Sequence, residues 1–249
     1  TEQAYLPLLI PLVDIHTIGA GGGSVAWLEN EALRVGPRSA GANPGPACYG
    51  KEGKEPTVTD ANLFLGRLGK ESKLGGWMDL DINASENVLD SLSKKLKISP
   101  IELAEGILSI INAKMADAIR TITVKEGIDP REFSLVAFGG AGSMHAVWLA
   151  EELEINEIIV PNDPGTFSAW GMLQTDIRRD LTVNFYQNFQ NLEQKKLLKN
   201  YSNLKEEASE LLRSENVVEA DMNFSLTADM RYIGQEYYVN VELIEPFNL

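Results

Sequence analysis

Residues 133–161 constrain the fold of this chain more than any other stretch. A buried-strand pattern at 133–138 runs into Gly139-Gly140-Ala141-Gly142. A helical segment from Ser143 to about Leu153 follows, and a second apolar strand over 155–160 is stopped by Pro161. Strand, glycine turn, helix and strand in that order make a βαβ unit, which commits the chain to an α/β architecture. A glycine loop that leaves a strand and opens a helix also sets the helix N-terminus where it can face a nucleotide. The loop is not GxGxxG and no lysine follows it, so neither a dinucleotide-binding nor a Walker A reading fits.

A second glycine run, Gly19-Ala20-Gly21-Gly22-Gly23-Ser24, lies between an apolar stretch at 8–18 and two short strand-like segments, 25–28 and 32–35, joined across Glu29-Asn30-Glu31. Without Cβ atoms, the backbone N–H groups of Gly21, Gly22 and Gly23 can approach an anion closely, and Ser24 adds a hydroxyl donor. The same run would serve equally as a tight hairpin with no ligand. Two strand-linked glycine loops in one chain favour a nucleotide cleft more than either does alone. Asp14 and His16, two residues apart, share one face of the strand expected at 8–18. A carboxylate there could hold Mg²⁺-bound water or act as a base; it could also cap a turn beside a structural histidine. His145, in a helix start, reads as a packing or capping residue. Cys48 reads as a small buried residue, and Asp60 as a helix-start acid favoured by the dipole.

The clearest helix starts after Ser99, with Pro100 at the first helical position and Glu102 completing a capping box. Leu103, Ile107, Ile110, Ile111, Met115, Ala118, Ile119 and Ile122 recur at helical spacing until Gly127. Residues 36–56, rich in proline and glycine, are predicted to be an ordered loop, and 59–68 a short helix. Further on, 166–175 reads as helix, 181–187 as strand, 192–214 as a polar helix, and 222–232 with 237–243 as an antiparallel pair. The expected division is an α/β core at 1–190 and a C-terminal helix plus antiparallel strands at 191–249.

Charge and composition exclude several classes. The chain of 249 residues carries 22 Lys+Arg against 36 Asp+Glu, a net charge of -14, which would repel a phosphate backbone, so no nucleic-acid partner is expected. No apolar run reaches the ~18 residues a membrane span requires. The start carries no basic signal-peptide region, and Cys48 alone cannot form an internal disulfide. A cytoplasmic protein is expected. Two histidines leave little for a His-rich metal site. Because the chain opens on Thr1 and stops soon after a strand-like segment, it is expected to be a piece of a longer polypeptide.

The runs Asp14-Ile-His-Thr-Ile-Gly-Ala-Gly-Gly-Gly-Ser24, Arg34-Val-Gly-Pro-Arg-Ser-Ala-Gly41, Pro44-Gly-Pro-Ala-Cys-Tyr-Gly50, Pro56-Thr-Val-Thr-Asp-Ala-Asn62, Phe138-Gly-Gly-Ala-Gly142 and Ala228-Asp-Met-Arg-Tyr-Ile-Gly-Gln235 together resemble the hydantoinase A / 5-oxoprolinase family. The resemblance spans residues 12–244. It implies an actin-like ATPase core, of the ribonuclease H-like superfamily that includes actin, heat-shock chaperones and sugar kinases. It further implies ATP- and Mg²⁺-dependent opening of a small cyclic amide such as a hydantoin or 5-oxoproline, with a hydantoinase B-type subunit or domain as partner. Homo-oligomerisation stays open. The alternatives are the ATP-using subunit of an acetone or acetophenone carboxylase, and a nucleotide-binding module without chemistry. By the same resemblance, Gly21, Gly22, Gly23 and Ser24 would match a phosphate-binding hairpin. Gly139, Gly140, Ala141 and Gly142 would match an adenosine loop. Asp14 would lie by the γ-phosphate and metal, with His16 beside it as a second catalytic candidate. Two departures stand out. Gly19 and Ala20 replace the carboxylate that related phosphatases carry before the glycine run, and the family's N-terminal Asp-x-Gly-Gly-Thr loop is missing. The isolated chain is therefore expected to bind ATP weakly.

Overall fold

The computed structural model describes residues 15–69, 71 and 73–243, together with the backbone of Glu2–Gln3 (β1) and Leu6–Pro7 (β2). The chain divides into two compact units, Val13–Gln174 and a second made of Thr1–Leu12 with Thr175–Leu249.

In the first unit, Ser24–Glu29 (β3) pairs antiparallel with Ala32–Ser39 (β4). The expected hairpin forms, closed by Asn30 and Glu31, both at positive φ (49° and 66°). That geometry matches the twist of the flanking strands. β4 runs four residues beyond its predicted end, through Gly36 to Ser39, and a 3-10 turn forms at Ala47–Tyr49. The 36–56 segment is thus ordered, as expected, but less loop-like than its proline and glycine content suggests. Helix α1, Val58–Phe64, is shorter than predicted. Helix α2, Ile82–Leu96, falls where the sequence reading assigns no element; Asp81 caps it, accepting from Ala84 N at 3.1 Å.

Helix α3, Pro100–Lys125, is the spine of this unit. Its capping box is as predicted: Ser99 Oγ accepts from Glu102 N (3.2 Å) and Glu102 Oε2 accepts from Ser99 N (2.8 Å). At 1.5 Å per residue it is about 39 Å long, enough to serve two cores. Its first half buries Leu103, Ala104, Ile107, Leu108 and Ile111 against Ala26 and Val35 of the hairpin, Val58 and Ala61 of α1, and Leu89 and Leu92 of α2. Each fully buried Leu or Ile there contributes about 1.5–3 kcal/mol. Its second half places Ala116 against Leu149 and Leu153 of helix α4, Gly142–Leu153.

The predicted βαβ unit is present. Leu135–Val136 (β5) and Ile158–Ile159 (β6) pair in parallel, joined through α4, and helix α5 follows at Phe167–Leu173. In the second unit, β1 pairs with β2, helix α6 spans Gln194–Ser214, and Thr227–Met230 (β7) pairs antiparallel with Val239–Glu242 (β8), as the alternation predicted. Residues 181–187, predicted as a strand, have no regular structure. Apolar alternation alone does not make a strand where no neighbouring ladder takes up the backbone groups. No helix among the described residues is long and apolar enough to cross a membrane.

Candidate functional site

The first glycine loop is shaped by what its carbonyls and amides meet. Gly21 N donates to Ser24 Oγ and Ser24 N donates to Gly21 O, both at 3.0 Å, closing a tight turn. Gly22 O accepts from both Thr59 N (2.9 Å) and Thr59 Oγ1 (2.8 Å), and Gly23 O accepts from Ala40 N (2.8 Å). The loop is therefore pinned from below by the first turn of α1 and by the end of β4. A Cβ on Gly22 would come within 2.7 Å of Thr59 Oγ1, so a side chain is excluded there by packing. Gly21, in contrast, faces open space. Ser24, the expected hydroxyl donor, is buried with its oxygen engaged by Gly21 N. The N–H groups of Gly22 and Gly23 donate to no acceptor among the described residues. They are the donors this turn presents.

Beneath the turn sits Asp60, fully buried. Its carboxylate accepts from Ala47 N (3.2 Å), Cys48 N (2.9 Å), Thr57 N (2.9 Å), Thr57 Oγ1 (2.7 Å) and Ser85 Oγ (2.8 Å). Backbone and hydroxyl donors satisfy a buried carboxylate as a cation would. Asp60 is thus more than the helix-start acid the sequence suggested: it ties the 3-10 turn, the start of α1 and α2 together. Burial, followed by the adjacent Asp60 charge, pushes the Cys48 thiol well above its ordinary range, which keeps it an inert core residue.

The second loop has a different construction. Gly139 adopts φ +85°, a conformation that favours glycine, and its N–H donates to Pro164 O at 2.7 Å. Since β5 and β6 are parallel, the segments that follow them emerge at the same edge. Ligands of open α/β sheets bind at such carboxyl ends. Ala141 caps α4 without a side-chain hydrogen bond, no acid occupies the helix's first turn, and a Cβ on Gly139 or Gly140 would meet nothing within 4 Å. Gly140 N and Ala141 N donate to no acceptor among the described residues. An uncapped helix start with open glycines before it suits a phosphate or ribose oxygen.

His145, one turn into α4, is buried, with Nδ1 at 2.7 Å from Asn112 Oδ1 of α3, while its Nε2 is buried without a partner. With Asn112 Oδ1 as the acceptor, Nδ1 is the donor of this pair. The packing reading of His145 therefore holds. Burial first, and the charge of Arg67 second, lower its pKa from the ordinary 6.5; Arg67 itself stacks over Trp148 at 4.0 Å. A histidine held below its unfolded value stabilises the fold fully above about pH 6.5 and loses that contribution as pH falls, because the unfolded chain takes up the proton first. Stability should decline as pH falls below about 6.5, with a slope of at most ~1.4 kcal/mol per pH unit for one proton. In His145→Gln that decline should flatten in thermal melts; an identical slope in the variant would remove His145 as its source.

Of the predicted site residues, the structure brings Gly21, Gly22, Gly23 and Ser24 together on the α1–hairpin side of α3, and Gly139, Gly140, Ala141 and Gly142 on the α4 side. Asp14 lies outside the described residues. His16 is exposed, and residues 15–18 lie outside any strand, so the strand expected to carry the Asp14–His16 pair does not extend through them. Among the described residues no group of three or more His, Cys, Asp or Glu could hold a metal ion. The orphaned Nε2 of His145 and the Asp60 hub escaped the sequence reading, because their partners Asn112 and Ser85 lie far away along the chain.

Comparison with known proteins identifies the family. The family described as hydantoinase/oxoprolinase matches residues 1–181. The alpha subunit of caprolactamase from Pseudomonas jessenii is 40% identical over 245 residues, covering 94% of this chain and 34% of that protein. The crystal structure of the ATP-dependent caprolactamase from that organism superimposes with a TM-score of 0.71 at 38% identity, over 94% of this chain and 35% of the other. A 5-oxoprolinase of Pestalotiopsis fici is 34% identical over 256 residues, 97% of this chain and 20% of that protein. Nucleotide-free acetone carboxylase, from a structural study of ATP-dependent acetone carboxylation, gives a TM-score of 0.81 at 26% identity, over 97% of this chain and 36% of the other. The chain spans about a third or less of the length of these relatives. By sequence and by fold, it belongs to the hydantoinase/oxoprolinase family.

Proposed function

We propose that this chain is part of an actin-like ATPase core in an ATP-dependent enzyme that opens a small cyclic amide. The carrying observation is the pair of glycine loops within one compact unit. Gly22 and Gly23 in the first and Gly140 and Ala141 in the second have backbone N–H groups that meet no acceptor among the described residues, and the second loop is open around Gly139 and Gly140. The relatives that act on caprolactam and 5-oxoproline support the amide side of this reading. ATP would transfer its γ-phosphoryl group to the amide carbonyl oxygen, releasing ADP. Water would add to the activated ring carbon, and the ring C–N bond would break with the nitrogen leaving as the protonated amine. The acyl phosphate so formed would be hydrolysed by a second water to carboxylate and phosphate. The chain's own task is positioning. Gly22 and Gly23 hold anionic oxygens through backbone N–H groups, the 139–142 loop and the start of α4 seat the nucleoside side, and Thr59 and Asp60 keep the first loop rigid. Mg²⁺ would neutralise phosphate charge, with Asp14 as the carboxylate assigned to it. A hydantoinase B-type subunit or domain is the proposed partner; the caprolactamase relative is likewise named as a subunit.

The test is phosphate release by the full-length protein with its partner, in the presence of ATP and, separately, caprolactam, 5-oxoproline, a hydantoin, acetone and acetophenone. Release stimulated by a cyclic amide supports the hydrolase. Stimulation only by a ketone with bicarbonate shifts the assignment to the carboxylase reading, which the acetone carboxylase likeness keeps in view. In that assay Asp14→Asn should keep ATP binding and cut turnover about a hundredfold, the scale of a lost metal or acid–base contact. Unchanged turnover in a folded Asp14→Asn protein would remove Asp14 from the chemistry.

A further inference from the structure

At the rim of the second glycine loop stands a stack of three aromatic rings to which the reading above gives no role. Phe138 immediately precedes Gly139, while Phe167 and Trp170 lie three residues apart on α5. Phe167 meets Phe138 edge-on, with centroids 5.3 Å apart at 62°. Trp170 lies almost parallel to Phe167, 5.5 Å away at 13°. The hydrogen bond from Gly139 N to Pro164 O ties the loop that carries Phe138 to the segment leading into α5. The rings are thus ordered against one another and against the glycine loop. Even so, Phe138 is 45% exposed and Trp170 55% exposed. Aromatic side chains normally bury most of their surface, and an indole held in a stack but left open to water has unused stacking capacity.

We propose that Trp170 is the base-stacking platform of the nucleotide site, the planar base of ATP or ADP continuing the Phe138–Phe167–Trp170 stack by one ring. This rests on the nucleotide reading of the 139–142 loop. The two parts of a nucleotide call for different surfaces. Phosphate and ribose oxygens need N–H donors, which Gly140, Ala141 and the uncapped start of α4 provide. The base needs an aromatic face, and because it is uncharged it is not repelled by a chain of net charge -14. The stack supplies that face beside the loop. The rival occupant of Trp170 is another segment of the longer polypeptide.

The experiment compares the full-length protein with W170A and W170F, titrated calorimetrically with ADP and with inorganic tripolyphosphate, which has no base. Stacking predicts that W170A weakens ADP about tenfold or more, the scale of one lost base–aromatic stack, leaves tripolyphosphate unchanged, and is largely rescued by W170F. ADP should also quench tryptophan emission in the parent, and that quench should disappear in W170F, which decides the matter if W170A does not fold. A folded W170A that binds ADP as the parent does, loses ADP and tripolyphosphate equally, or only melts earlier would overturn the proposal, as would a full quench in W170F. If the parent itself binds no ADP, it is the nucleotide reading that fails, and the stacking proposal with it.

Discussion

Asp60→Ala is expected to be among the most damaging single substitutions in the Val13–Gln174 unit. It removes the acceptor for three backbone N–H groups and two hydroxyls, all meeting at a fully buried carboxylate. A buried donor left without a partner costs about 1–3 kcal/mol. Some of the five would find water in the space vacated, so a net loss of roughly 3–5 kcal/mol is expected, at the upper end for point substitutions. At about 2–4 °C per kcal/mol for a unit of this size, melting should drop by ten degrees or so, if the protein folds. Asp60→Asn should not rescue it fully, since an amide NH₂ would face donors already aimed at the carboxylate. Melting within two or three degrees of the parent would mean that the hub is not holding the loop, and the rigid first glycine turn would need another explanation.

Gly140→Val should do the reverse: preserve the fold and abolish tight nucleotide binding. A side chain added there meets nothing within 4 Å, and Gly140 does not share the left-handed φ of Gly139. A substitution into open surface of this kind usually changes stability by no more than about 0.5 kcal/mol. The new methyls would occupy the approach to the N–H groups of Gly140 and Ala141. Losing one hydrogen bond to a charged ligand weakens binding about tenfold to hundredfold. ADP titration of the full-length protein, beside a melting curve, reads both quantities. Parental ADP affinity in the variant would show that the ligand does not approach through this loop; early melting would make the glycine a structural requirement instead.

Local signals account for most of what the sequence made legible. The Ser99–Glu102 capping box, the strand–glycine–helix–strand order around Gly139 and the hairpin over Asn30-Glu31 each depend on residues within a few positions of one another, and each is present in the structure. Features made by distant partners were not readable. Ser85 reaches Asp60 across 25 residues, Asn112 reaches His145 across 33, and Thr59 reaches back 37 to Gly22. No spacing rule joins such pairs. The failed strand at 181–187 has the same origin, because a strand exists only through a neighbour that its own residues do not specify. Helix α2 buries Ser85, Leu89, Leu92 and Ser93, and with serine at two of those four positions its buried face carries little apolar periodicity along the sequence.

Because α3 contributes to both hydrophobic clusters of the Val13–Gln174 unit, the supports of the two glycine loops are fastened to opposite ends of one strut. A packed helix does not stretch, and sliding it would mean repacking both clusters together. The interval between the loops is consequently a gauge cut in advance. Under the nucleotide reading proposed above, a nucleotide of the right length would seat at both ends at once, and a shorter or longer polyphosphate would engage one end alone.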